Sequence, residues 1–261
     1  VQFTSAQPGS LQAKALHDLR LDAAREALAT AALLALVLVA LIVPGWMAHA
    51  FALKALAVFV LGCALLMWGL ARHMPHRRFG AANRVTLLRL AMIAVLAGGI
   101  GQAWHPPDVV AWAAIVLATT AALLDALDGP LARAQGLASD FGARFDMESD
   151  AFMILVLSLL VWHWDKAGAW VLLAGLARYL FVAAAWAWPW LSRPLPPSMR
   201  RKTVCVVQIT CLIVCLGPII ARPWSQAIAA ISLALLLLSF AIDVRWLIQE
   251  HRQRVSTKET E

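Results

Sequence analysis

Long apolar runs recur along this chain, each near the ~20 residues that a helix needs to cross a bilayer. The connectors between them are short, and basic or proline-containing. No other feature limits the fold as much. Hydrocarbon offers no water to backbone amides and carbonyls, so a spanning segment must be a helix or part of a closed barrel. Runs can be drawn over Ala27–Trp46, Ala55–Ala71, Val85–Trp104, Val109–Leu124, Phe145–Trp162, Ala169–Trp190, Thr203–Ala221 and Ala227–Ile242. Only 14% of the residues are charged and 62% are apolar, against about a quarter and a half in a soluble domain. The expected fold is all-α, a polytopic membrane helix bundle of about eight transmembrane helices. No polar stretch is long enough for a separate soluble domain.

The connectors predict an orientation. Lys and Arg gather before the first run (Lys14, Arg20, Arg25) and between the second and third (Arg72, Arg77, Arg78, Arg84). They gather again around Arg133 and Arg144, at Arg200, Arg201 and Lys202, and in the tail. The alternate connectors hold only Lys54, Lys166 and Arg222. The positive-inside rule then puts both termini and the basic loops in the cytoplasm. Tryptophans near run ends, such as Trp46, Trp162, Trp164, Trp188 and Trp224, read as interfacial anchors.

Other classes recede. The net charge of +7 is spread between the apolar runs rather than forming a stripe, so no nucleic-acid partner is expected. Cys63, Cys205, Cys211 and Cys215 lack zinc-type spacing and read as small buried residues. Ala48-His49-Ala50 imitates a signal-peptide cleavage site. The run before it exceeds the usual 7–15 residues, and an uncleaved first helix is expected.

Against this background the stretch "LLDALDGPLARAQGLASDFGARFDMESD" (123–150) stands out. Asp125 and Asp128 close the fourth run, and Asp146 and Asp150 open the fifth. Spacings of i,i+3 and i,i+4 put each pair on one helix face. A short loop between antiparallel helices would bring the pairs together. Charge at a membrane boundary is costly, and convergent carboxylates repel, so the cluster calls for cations. Carboxylate-only ligation, with no His or Cys nearby in sequence, suits Mg²⁺ or Mn²⁺, and two ions could be bridged for phosphoryl transfer. Gly129, Gly142 and Ala132 leave room beside the backbone, and Arg133 offers a fork for a diphosphate. Ser139 is placed to cap the fifth helix, and Glu148 falls off the acidic face.

Asp125-x2-Asp128-Gly129-x2-Ala132-Arg133-x8-Gly142-x3-Asp146-x3-Asp150 resembles the signature of the CDP-alcohol phosphotransferase family at every fixed position. "NRVTLLRL" (83–90) is similar to the opening of that family's first core helix. The resemblance implies a six-helix catalytic core, here residues 81–249. A cytoplasmic leader (1–26) and two extra helices (27–80) would precede it, and a tail (250–261) would follow. It also implies transfer from a CDP-linked lipid to an alcohol with release of CMP. By that resemblance Asp125, Asp128, Asp146 and Asp150 bind the metal ions and Asp150 is the general base. Asp125, Asp128, Gly129, Ala132, Arg133, Gly142 and Asp146 hold the CDP moiety. A homodimer is implied in the same way. The expected location is a bacterial inner membrane, with the site on the cytoplasmic face that the Lys and Arg distribution predicts.

Arg178, inside the sixth run, resembles a family arginine that lines the acceptor pocket. Lys202 and Gln208 match a family segment only in part, since Arg201 and Cys205 replace its Gly and Thr. Arg178, Lys202, Arg200 and Arg201 are the candidate acceptor-binding residues. The donor expected is CDP-diacylglycerol, and positive charge favours glycerol 3-phosphate or another phosphorylated polyol as acceptor. Serine, inositol, and diacylglycerol with a CDP-choline or CDP-ethanolamine donor stay open. A silent lipid-binding paralogue and a divalent-cation transporter are the readings from other classes. The fourth and fifth runs turn apolar beyond their acidic ends, which counts against an ion path.

Overall fold

The computed structural model describes residues 8–73, 78–102, 106–134 and 139–259, and for 8–13, 73, 126–134 and 254–259 the backbone alone. Regular structure among the described residues is all helix, with no strand. In chain order the helices are α1 (Pro8–Ile42), α2 (His49–Gly69), α3 (Ala81–Gly98), α4 (Asp108–Ala134), α5 (Asp140–His163), α6 (Leu172–Ala187), α7 (Met199–Cys215) and α8 (Trp224–Glu259). They correspond one to one with the eight expected runs. Among the described residues, six are long and apolar enough to cross a membrane, α5 and α7 being the exceptions. The reason is local. α5 carries Asp146, Glu148 and Asp150 in its first half, and α7 is 17 residues long and opens on Arg200, Arg201 and Lys202.

Two compact units divide the chain. The first comprises Val1–Gln102 and Thr120–Ser149, the second Ala103–Thr119 and Asp150–Glu261, so α4 and α5 each run from one into the other.

In the first unit α2 packs on both α1 and α3, and α1 also meets α3. Phe51, Ala55, Phe59 and Leu66 form the buried stripe of α2, and Leu87, Leu90, Ile93 and Ala94 answer from α3. Gly98 allows a close backbone approach: a Cβ there would stand 2.9 Å from the Phe51 carbonyl oxygen. Such small-residue contacts replace the hydrophobic drive that lipid removes. α1 has 35 residues, which at 1.5 Å per residue gives about 52 Å, against ~30 Å of hydrocarbon. Its Lys14–Arg25 stretch is part of the same continuous helix. Asp22 there accepts the Phe79 N–H at 2.9 Å, and Glu26 pairs with Arg84 at 2.8 Å.

In the second unit α7 packs along α8, and α6 meets α8 through Phe181 and Phe240, 5.8 Å apart. Ser225, Ala229, Ser232, Leu236, Ser239 and Asp243 are the buried seam of α8. Their alternating spacing of four and three is that of a left-handed helix pair. The α5–α6 connector is tied down by Lys166, whose Nζ donates to the Gly217 and Ile220 carbonyls at 2.7 and 2.9 Å. One expected anchor is placed differently. Trp164 is buried, because the chain turns back at Asp165 (φ 56°), whereas Trp46, Trp162, Trp188 and Trp224 are exposed.

Candidate active site

Within the first unit three helices meet around Arg89 of α3. Its guanidinium is almost wholly buried, and Nη1 lies 2.6 Å from Oδ1 of Asp125 on α4 and 2.6 Å from Oδ1 of Asp146 on α5. Nε donates to the Ala121 carbonyl at 3.1 Å, one turn before Asp125. The start of α5 is set by Ser139, whose Oγ accepts the Gly142 N–H at 3.1 Å, an N-cap of the expected kind. Asn83, buried and donating to the Phe79 carbonyl, brings Oδ1 to 3.2 Å from where a Cβ on Gly142 would stand. Gly142 thus has a packing reason to lack a side chain, beside the space it was expected to leave for a nucleotide.

Asp150 follows Asp146 by one turn on the same continuous helix. One carboxylate oxygen from each of Asp125, Asp146 and Asp150 lies within 4.8 Å of the others. The side chains of Asp128, Gly129, Ala132 and Arg133 lie outside the described residues, as does the loop 135–138. Glu148 is exposed and stands outside the group, as its offset of two predicts. The donor set fits a hard divalent cation, being three half-buried carboxylates. Oδ1 of Asp125 adds to the fit. It is buried, and although Arg89 is close, it meets no donor at a hydrogen-bonding angle among the described residues. No cysteine is near the acidic group along the chain, but the fold brings one close: the Cys205 thiol of α7 stands 3.8 Å from Oδ2 of Asp150. Fifty-five residues separate the two in sequence, and only the folding of the second unit joins them.

The acceptor candidates divide. Arg200 donates to Oδ1 of Asp243 and to Ser239 on α8, and Arg201 lies 3.3 Å from the same Asp243 oxygen and also donates to the Pro196 carbonyl. Lys202 is exposed, and Arg178 is half-buried on α6. Gln208 is wholly buried on α7 with neither amide atom hydrogen-bonded among the described residues.

Sequence reasoning overlooked Arg89 and Asp243. Both could have been found by the rule that flagged Arg178: a charge inside or at the edge of an apolar run needs a partner. Arg89 sits within "NRVTLLRL", a stretch that the resemblance covered without giving the arginine a role.

The sequence model of the CDP-alcohol phosphatidyltransferase family matches residues 79–239. The chain belongs to that family. The matched region begins beside Asn83 and ends on the α8 seam, so it takes in Arg89 and the whole acidic group. Two curated proteins, both "Probable phosphatidylglycerophosphate synthase" from Mycobacterium tuberculosis (strains CDC 1551 / Oshkosh and ATCC 25618 / H37Rv), are each 45% identical over 76 residues. That stretch is 28% of this chain and 35% of each relative, so the match spans about a third of their length. No solved structure matches the chain significantly.

Proposed function

We propose that this member of the family transfers a phosphatidyl group from CDP-diacylglycerol to a polar alcohol and releases CMP. The observation that carries the reading is the convergence of Asp125, Asp146 and Asp150 within a family match. Asp128, Gly129, Ala132, Arg133 and Gly142 complete the CDP site in this reading. Magnesium or manganese ions, two in number, would be held by Asp125, Asp128, Asp146 and Asp150. Bound there, they would neutralise the diphosphate and stabilise the departing CMP.

Asp150 is the general base. Its carboxylate takes the proton of the acceptor hydroxyl as that oxygen bonds to the phosphorus attached to diacylglycerol. The bond from that phosphorus to CMP breaks. A base so placed is typically worth roughly 10²–10⁴-fold in rate. The reaction belongs at a cytoplasmic membrane face, which the distribution of Lys and Arg supports.

For the acceptor, glycerol 3-phosphate is our choice. Two lines support it: the positive charge of Arg178 and Lys202, and the name of the relatives, which specifies phosphatidylglycerophosphate as product. Purified protein in detergent, given CDP-diacylglycerol, Mn²⁺ or Mg²⁺ and a panel of acceptors, should release CMP with glycerol 3-phosphate. The Asp150→Asn variant should not. Release with serine or inositol alone would replace the acceptor, and no release with any acceptor would overturn the reading.

A further inference from the structure

We infer that Arg89 is a built-in counter-cation for the acidic group, holding Asp125 and Asp146 together before any metal ion binds. The metal half of this inference rests on the function proposed above; the electrostatic half rests on the ion pairs alone.

Neither side of the pairing is tolerable by itself. An arginine does not lose its proton in a protein, so a guanidinium with 2% exposure needs anions. Carboxylates within 4.8 Å of one another need a cation. One guanidinium nitrogen reaches both α4 and α5, and Nε anchors the same group to the Ala121 carbonyl. Arg89 thereby sets the spacing of the two helices at the level of the site. A carboxylate offers about four lone-pair positions, so an Oδ1 contact to arginine leaves positions for a metal.

The charge balance supports the same conclusion. One guanidinium offsets one of the three described carboxylates and leaves two negative charges to meet the metal ions, with Asp128 adding a further one in the proposed site. Without Arg89 the described group would carry three, and its assembly would depend on metal. Arg89 is thus a positioning residue, separate from the groups that meet substrate.

The test compares wild type with Arg89→Met, Arg89→Lys and the double variant R89M/D146N, purified in detergent. Thermal midpoints are read in EDTA and in Mn²⁺, and Mn²⁺ binding is read by its electron paramagnetic resonance signal. Arg89→Met should lower the midpoint in EDTA by roughly 10 °C and gain more from Mn²⁺ than wild type does. Removing the Asp146 charge in the double variant should recover part of the EDTA loss, and Arg89→Lys should fall between. A mere packing strut gives another pattern: equal losses in EDTA and Mn²⁺, with the Asp146 change adding to them. That pattern overturns the inference. If Arg89→Met does not fold, Arg89→Lys with and without D146N carries the same comparison. Wild type that binds no Mn²⁺ would instead bring down the metal reading, while the double variant in EDTA would still decide the role of Arg89.

Discussion

The Cys205 thiol lies 3.8 Å from Oδ2 of Asp150. A half-buried thiol at that distance is a weak donor, so its loss costs the base little. A bulky group on the sulfur would occupy the space beside the carboxylate. Cys205→Ala should therefore keep CMP release within about fivefold of wild type, because a single weak hydrogen bond contributes around 1 kcal/mol or less. N-ethylmaleimide should inactivate wild type, more slowly when CDP-diacylglycerol and Mn²⁺ are present, and should spare Cys205→Ala. Equal sensitivity in the variant would trace inactivation to Cys63, Cys211 or Cys215 and remove Cys205 from the site.

Two glycines make opposite predictions. A Cβ on Gly175 would stand 2.5 Å from the Leu155 Cα, a backbone atom that can move only with α5. Gly175→Ala should cost about 1–3 kcal/mol or more, the range for overpacking, seen as a lower thermal midpoint. Among the described residues, a Cβ on Gly142 meets side chains alone, the Asn83 amide oxygen at 3.2 Å and the Ser139 Oγ at 3.5 Å. The helix propensity gained from alanine offsets those contacts, and the net change should stay within about 1 kcal/mol. If Gly142 also makes room for the nucleotide, Gly142→Ala should raise the KM for CDP-diacylglycerol while the thermal midpoint holds.

Helix number and the pairing of Asp146 with Asp150 were legible because both depend on local periodicity. Apolar runs fix which segments become helices, and i,i+4 spacing puts those two aspartates on one face; the side chain of Asp128 lies outside the described residues. What joins distant segments was not legible. Arg89 is 36 residues from Asp125 and 57 from Asp146, and no local spacing shows that one guanidinium reaches both. The Arg200–Asp243 pair and the Cys205–Asp150 contact depend in the same way on α5, α7 and α8 coming together. Asp243 lies one residue past an apolar run, where sequence alone reads it as a solvated helix end. The structure has it on the buried α8 seam.

That seam separates the basic residues at the start of α7. Asp243 is mostly buried, and Arg200 and Arg201, each about a third exposed, share its Oδ1. Breaking a fully buried pair costs about 3–5 kcal/mol; allowing for solvent at the arginines, Asp243→Ala should cost about 2 kcal/mol. Arg200→Ala should likewise lower the thermal midpoint and leave the acceptor KM nearly unchanged. Lys202→Ala should do the reverse, raising the KM for a phosphorylated acceptor with little effect on stability. A large acceptor KM effect from Arg200→Ala at unchanged stability would return that arginine to the acceptor site.

α1 gives the N-terminal segment a use that its sequence did not disclose. Asp22 accepts the Phe79 N–H at 2.9 Å, at the point where the chain enters α3 through Gly80 in a left-handed conformation (φ 84°). Phe79 is itself fully buried, and its carbonyl accepts from Asn83, the residue seated against Gly142. Two turns further along α3 is Arg89. The Asp22 bond thus ties α1 to the start of α3, the helix that carries Arg89. A half-buried carboxylate on a backbone amide is worth about 1–2 kcal/mol, so Asp22→Ala should lower the thermal midpoint by a few degrees. It should also raise the Mn²⁺ concentration needed for half-maximal CMP release. Glu26→Ala removes an ion pair whose arginine is half exposed, worth less than about 1 kcal/mol, and should change neither. Equal effects from the two variants would mean that α1 acts by general packing on α3 and not through the Asp22 bond.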